Sequence, residues 1–272
     1  MTKKGEFLTC LEVLTKSGDF WRSKGVPSPK CDSEWIVSSI LHKKRMELYL
    51  YPDEIIGEEE LRAIRSLIVR RGKREPLQHI LGNVNFAGLT IKCDKRALIP
   101  RPETETLVEY ILQRMQPSFD GAIVDMGTGS GAIMAALCSS LPSSTGIGID
   151  KSENALSLAS ENLNALNLMS RTQLRQLDWS VQKVREEGVG LIVSNPPYLK
   201  VDEWEYAETE VKEHDPKVAL VAEENGFSEL RKIIGISTEI LSSGGMLALE
   251  FGVSHADQIT EALCFEFENV EI

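Results

Sequence analysis

The tetrapeptide Asn195-Pro196-Pro197-Tyr198 follows a short apolar run, Gly190-Leu-Ile-Val-Ser194, of strand character. Its two prolines fix φ and remove two backbone donors. Asn195, standing before a proline, is held toward extended geometry. The expected result is a stiff loop in which the Asn195 side-chain oxygen and the Pro196 carbonyl accept both hydrogens of one planar –NH2 group. Tyr198 adds a flat face for stacking. An amide or ring-amino nitrogen is a weak nucleophile because its lone pair is delocalised. Two acceptors would turn that lone pair toward an electrophile and stabilise the positive charge that grows on nitrogen during in-line displacement. Asn195, Pro196 and Tyr198 are therefore the expected catalytic residues, and the scheme calls for no metal.

A second constellation, Asp125-Met126-Gly127-Thr128-Gly129-Ser130-Gly131-Ala132, joins an apolar strand (Ala122–Met126) to a helix. Glycines there allow positive φ and close approach of a ligand to the backbone. Asp150 ends the next strand, where a carboxylate can take both ribose hydroxyls of an adenosine. Gly127-x-Gly129-x-x-Ala132 with Asp150 also satisfies the dinucleotide fingerprint, so the glycines alone do not separate NAD from S-adenosylmethionine. Asp125 favours the latter: a carboxylate sits badly beside a pyrophosphate but suits the ammonium of a methionine moiety. A P-loop is excluded, because no Gly-Lys-Ser/Thr follows. Trp179, after Asp178 at the expected end of a third strand, reads either as core or as a surface for adenine stacking.

The elements that must carry these residues change character once along the chain. Residues 1–76 read as helices only. Phe7, Leu8, Leu11 and Leu14 recur at helical spacing, and a second segment is expected to start near Asp32-Ser33 as N-cap residues. A third runs from about Gly57, with Glu58–Glu60 at its start and Arg70, Arg71 and Lys73 at its end, the polarity a helix dipole favours. Residues 77–98 form an expected connector with β-hairpin character around Phe86-Ala-Gly88-Leu-Thr-Ile91. Residues 99–272 alternate strand and helix, with strands at Ala122–Met126, Thr145–Asp150, Leu174–Leu177, Gly190–Ser194 and Gly245–Phe251. That pattern implies an α/β fold with a doubly wound, mostly parallel sheet, whose ligands bind beyond the carboxyl ends of the strands.

Bulk properties narrow the function classes. The chain has 272 residues, with 30 Lys and Arg against 41 Asp and Glu, a net charge of −11. Such an acidic balance disfavours general polyanion binding, so no direct nucleic-acid contact is expected. The five cysteines are scattered and form no Cys-x-x-Cys, which argues against disulfides and thiolate metal sites and fits a reducing, cytoplasmic home. Met1–Leu8 leads into no secretory-type apolar run, and no stretch approaches a membrane span. His42, His79, His214 and His255 share no metal spacing. The acidic stretch from Glu203 to Asp215 reads as a solvated loop, or as a lip for a basic partner.

With these residues assembled, the chain resembles the protein-(glutamine-N5) methyltransferases that act on class I peptide chain release factors. The resemblance rests on the N-terminal helical region, Gln78-His-Ile-Leu-Gly82, Leu98-Ile-Pro-Arg-Pro-Glu-Thr-Glu105, the Asp125–Gly131 loop, Asp178-Trp179 and Ser194–Tyr198. It implies a class I methyltransferase-type, Rossmann-like fold, with S-adenosyl-L-methionine as cofactor and S-adenosyl-L-homocysteine as product. It implies that Gly127–Gly131, Asp150, Trp179 and Asn195 contact the cofactor, to which the charge argument above adds Asp125. It further implies that Asn195–Tyr198 hold the glutamine of a Gly-Gly-Gln tripeptide, with Arg101 and Glu103 shaping the pocket, and that the N-terminal helices help dock the release factor. A monomer is expected. Such proteins continue into a last antiparallel strand with an Asp-Gly-Arg type signature, whereas this sequence stops at Val270-Glu-Ile272, so a truncated sheet with an exposed edge is expected. Adenine-N6 and rRNA-base methyltransferases share the tetrapeptide and form the alternative, with a non-catalytic adenosyl-binding module behind them and a dinucleotide oxidoreductase last.

Overall fold

The computed structural model describes residues 7–272; Met1–Glu6, part of the stretch read above for a leader, lie outside the described residues. The chain divides into two compact units, one ending at Gly82 and one spanning Asn83–Ile272.

The first unit is helical: α1 (Cys10–Ser23), α2 (Pro29–Leu41), α3 (Glu58–Gly72) and α4 (Leu77–Leu81). Thr9 caps α1 with a full capping box to Glu12. Helix α2 starts earlier than expected, at Pro29 after Ser28, because proline's fixed φ suits the first helical position. Asp32 and Ser33 are therefore not caps. Asp32 is buried inside the helix and accepts a 2.7 Å hydrogen bond from the Arg71 Nε of α3. Trp21, Ile36 and Ile64 centre the core, each fully buried.

The second unit opens with the hairpin β1 (Asn83–Phe86) and β2 (Leu89–Lys92), closed by Ala87-Gly88, both at positive φ. Then follow α5 (Pro102–Arg114), β3 (Ala122–Met126), α6 (Ala132–Ser140), β4 (Thr145–Asp150), α7 (Glu153–Ala165), β5 (Thr172–Gln176) and β6 (Val189–Ser194). Short helices α8 (Val201–Glu205) and α9 (Thr209–His214), the long α10 (Ser228–Ile240), β7 (Leu241–Leu249) and α11 (Ala256–Glu266) complete it.

All five strands β3–β7 run parallel in the order β5-β4-β3-β6-β7. Strand alternation loads both faces. Ile123, Leu191 and Val193 pack under α5, α6 and α7, while Val124, Ile149 and Ile192 meet Ile233 and Ile240 of α10. The register shifts between Val189 and Leu191 against β3, and with that shift Val189 shares the α10 face with Ile192 rather than with Leu191. The chain winds outward from β3 through β5, then returns to β6 beside β3. The crevice where connections diverge, beyond β3 and β6, is where such a sheet binds ligands.

Candidate active site

A cleft opens at that crevice. It is lined from β3 by Gly127–Ser130, from β4 by Asp150, from beyond β5 by Asp178 and Trp179, and from β6 by Asn195 and Pro197. Ala97–Arg101 and Thr104 close one side, Pro216, Val218 and Ala219 another, and Glu229 reaches in from α10.

The glycine loop is built as a tight strand-to-helix turn. Gly127, Gly129 and Gly131 all have positive φ. The Gly127 and Thr128 N–H groups donate to the Ile149 carbonyl at 2.8 and 3.0 Å, locking the loop to β4. A Cβ on Gly131 would stand 3.1 Å from that of Ala159, so this glycine also lets α6 approach α7. From behind, buried Asn162 donates to the Ser130 carbonyl at 2.9 Å and exchanges hydrogen bonds with the Lys92 backbone, tying the loop to β2.

Asp150 accepts from the Gly129 N–H (3.0 Å) and the Ser152 N–H (2.9 Å), one on each oxygen. Each oxygen keeps a lone pair for a ligand hydroxyl. Burial raises its carboxyl above the ordinary value, against the pull of those backbone donors. The indole of Trp179 is fixed by donating to Glu229 (2.8 Å), whose other oxygen takes Lys232 (2.7 Å). This donor and acceptor set, with a flat indole between, fits an adenosine.

Asp125 stands behind the cleft wall, completely buried. One oxygen accepts from Thr128 Oγ1 at 2.7 Å and the other has no hydrogen-bond partner. Burial pushes this carboxyl up to about 7 from its ordinary 3.8, with the nearby charge of Asp150 adding to the rise. A buried half-satisfied carboxylate beneath the loop fits a cationic ligand group above it. The folded state therefore holds this proton longer than the unfolded chain does, and stability declines as pH rises from about 4 to about 7. Asn at this position does not titrate. The Tm of Asp125→Asn minus that of the wild type is expected to climb by several degrees across this window (about 2–4 °C per kcal/mol) and to level off on either side. Parallel melting profiles from pH 4 to 8 would reject this account.

At the head of β6, Ser194 is fully buried and donates to the Met126 carbonyl at 2.5 Å, holding the tetrapeptide against the end of β3. Asn195 donates through Nδ2 to Thr104 Oγ1 (3.0 Å), and Thr104 donates to Glu250 Oε2 (2.6 Å). The Tyr198 hydroxyl donates to Glu250 Oε1 at a long 3.4 Å. Burial and Glu250 push the Tyr198 phenol up to about 12, so it stays a donor. Burial also raises Glu250, opposed first by the Thr104 and Tyr198 hydroxyls, with Glu103 adding to the rise. The Tyr198 ring packs on Phe227, Leu230 and Ile259. Gly226 (φ +90°) lies so close to the Tyr198 carbonyl that a Cβ there would overlap it.

The expected site residues thus separate into two layers. Gly127, Thr128, Gly129, Ser130, Asp150, Trp179, Asn195, Pro197 and Arg101 line the cleft; Asp125, Gly131, Pro196, Tyr198 and Glu103 do not. Pro196 is buried and Glu103 exposed. The acidic stretch is not simply a solvated loop. The Asp215 side chain is 1% exposed and accepts from Arg101 Nη2 at 2.6 Å, because a carboxylate this buried needs a paired cation. Thr104, Glu229 and Glu250 escaped the sequence reading. Thr104 had one signal: it shares the i, i+4, i+7 face of α5 with buried Val108 and Ile111, and a hydroxyl on such a face needs a partner. Among the described residues no group of three His, Cys, Asp or Glu could hold a metal, and no helix is long and apolar enough to cross a membrane.

Fold and cleft together define a class I, S-adenosylmethionine-dependent methyltransferase. A family model described as the PrmC N-terminal domain matches residues 12–82, and one described as the methyltransferase small domain matches residues 104–213. The chain is 35% identical to the release factor glutamine methyltransferase of Geobacter sulfurreducens, over 95% of this chain and 89% of that one. It is 37% identical to the protein of that name from Vibrio cholerae, over 90% and 85%. The chain belongs to the release factor glutamine methyltransferase family. Among solved structures, the hMettl16 catalytic domain in complex with MAT2A 3′UTR hairpin 6 aligns at a TM-score of 0.54 and 16% identity, covering 74% of this chain and 73% of that one; this likeness is one of fold alone.

Proposed function

We propose that this enzyme methylates the side-chain amide nitrogen (N5) of the glutamine in the Gly-Gly-Gln tripeptide of class I peptide chain release factors. The observation that carries the reading is the orientation of Asn195. Its Nδ2 is committed to Thr104, which turns Oδ1 the other way as an acceptor on a cleft-lining residue. In this reading Oδ1, and the carbonyl of buried Pro196 between the cleft-lining Asn195 and Pro197, take the two hydrogens of the glutamine –NH2 once the amide is seated, and the rigid Pro-Pro backbone keeps both acceptors from relaxing. In this arrangement the nitrogen lone pair is directed at the methyl donor, and charge growing on nitrogen is met by two oxygens already in position. Tyr198 backs the amide plane, and Arg101, held by Asp215, borders the entry.

The cofactor side of the cleft would be held by Asp150 on the ribose, Trp179 on the adenine, the Gly127–Gly131 loop against the methionine moiety and Asp125 beneath its ammonium. S-adenosylmethionine, when bound there, supplies an electrophilic sulfonium methyl. In this reading residues 1–76 help dock the release factor. The names of the 35–37% identical relatives support the protein substrate, and the net charge of −11 weighs against a nucleic-acid base as owner of the –NH2 group.

The test is radiolabelled methyl transfer to a purified class I release factor, to its Gln-substituted variant and to a DNA duplex. Label on the unsubstituted release factor alone is the expected result. Label on DNA, or equal label on the Gln-substituted protein, would overturn the reading.

A further inference from the structure

The geometry points to Glu250, acting through Thr104, as the positioning group that fixes which end of the Asn195 amide faces the substrate. This inference rests on the proposed role of Asn195 and adds to it the device that sets its polarity.

An asparagine amide has a donor end and an acceptor end of nearly equal shape, and only its hydrogen-bond partners distinguish them. If Asn195 pointed its –NH2 into the cleft, it would face the –NH2 of an amide substrate with another donor. Two contacts exclude that orientation. Glu250, as a carboxylate, only accepts. Thr104 has one hydroxyl hydrogen, and the 2.6 Å contact to Glu250 Oε2 takes it. Thr104 Oγ1 therefore offers Asn195 only lone pairs, so the amide group 3.0 Å away must be Nδ2. Direction runs one way, from Asn195 to Thr104 to Glu250, and the Asn195 amide also acts on Glu250 directly in the same donor sense.

The surroundings make that direction hard to reverse. Thr104 is 4% exposed, which leaves little room for water to supply a substitute partner. The other Glu250 oxygen receives the Tyr198 hydroxyl at 3.4 Å, so one carboxylate holds both polar side chains of the tetrapeptide. The effect is also electronic. Hydrogen bonds in a chain polarise one another, and drawing on Nδ2 makes Oδ1 a stronger acceptor for the nitrogen that gains charge. Glu250 leaves the end of β7 and Thr104 sits in the first turn of α5, 146 residues apart in sequence. The two belong to elements that pack against each other, α5 and the carboxyl end of β7.

The relay makes a prediction that simple packing inverts. Thr104→Val keeps shape and removes the hydroxyl; Thr104→Ser keeps the hydroxyl and removes a methyl from a buried site. If Thr104 only fills space, Ser is the more damaging change. If it relays, Val is. We expect Thr104→Val to lower kcat toward the release factor by about 100-fold, the scale of a misplaced reacting group, with KM and S-adenosylhomocysteine affinity each changing less than about 3-fold. Thr104→Ser is expected within about 5-fold of wild type, and Glu250→Gln, which keeps an acceptor without the charge, between the two. Thermal melts of each variant check that it is folded. A Val variant no worse than the Ser variant overturns the inference. Wild-type protein that labels no release factor counts instead against the proposed substrate, and the relay is then read from the Asn195 side-chain 15N–1H pair, assigned by its loss in Asn195→Asp. Faster hydrogen exchange of that pair in Thr104→Val than in wild type and Thr104→Ser supports the relay; equal exchange in all three refutes it.

Discussion

Asn195→Ala is expected to lower methyl transfer by about 1,000-fold, the upper range for removing one preorganised group that meets transition-state charge. The alanine removes the cleft-facing acceptor and leaves Thr104 with an unused buried lone pair, while the prolines still hold the backbone. In the proposed arrangement cofactor binding draws mainly on β3, β4 and the segment after β5, so S-adenosylhomocysteine affinity by calorimetry should fall less than about 5-fold. The split matters more than either number: a kcat within 10-fold of wild type would remove Asn195 from the chemistry, whatever the affinity did.

Asp150→Ala acts on the other half of the cleft. In its proposed role Asp150 takes two ribose hydroxyls, and two hydrogen bonds to a carboxylate, each of about 1.5–3 kcal/mol, would be lost together. The Gly129 and Ser152 N–H groups lose their acceptor as well. S-adenosylhomocysteine affinity is expected to fall by at least about 100-fold, with kcat at saturating cofactor changing far less. Asp150→Asn keeps one acceptor and should lie between the two. An alanine variant that binds within 5-fold of wild type would mean that the ribose sits elsewhere.

Sequence periodicity located the sheet well where strands are buried on both faces. Ala122–Met126 and Thr145–Asp150 are found with the expected bounds, because central parallel strands are continuous apolar runs. The edge strands were read less well. β5 begins at Thr172 rather than Leu174, since an edge strand tolerates Thr, Gln and Arg that the apolar rule discards. β7 begins at Leu241, through exposed Ser242–Gly244, and ends at Leu249, short of the expected Phe251. Glu250, the next residue, still donates its N–H to the Ser194 carbonyl at 2.9 Å, and its side chain reaches Thr104. That Asn195, Asp150 and residues of the glycine loop line the cleft was legible because they stand in local motifs at strand ends. Thr104 and Glu250 were not, because neither residue carries its meaning alone, and the contact that gives it spans most of the methyltransferase unit. Asp215 was misread for the same reason: its cation, Arg101, is 114 residues away.

The cleft's walls come from non-overlapping stretches of chain. Groups suited to the adenosine lie between Gly127 and Trp179, on turns fixed by the sheet. The outer wall of Pro216, Val218 and Ala219 belongs to the segment between Tyr198 and α10, which rejoins the body through the Leu199–Val221 bridge and the Arg101–Asp215 pair. Such a layout is evolvable. None of the groups proposed for the methyl donor lies in residues 200–227, so change in this segment would act first on what the cleft accepts and only indirectly on the donor.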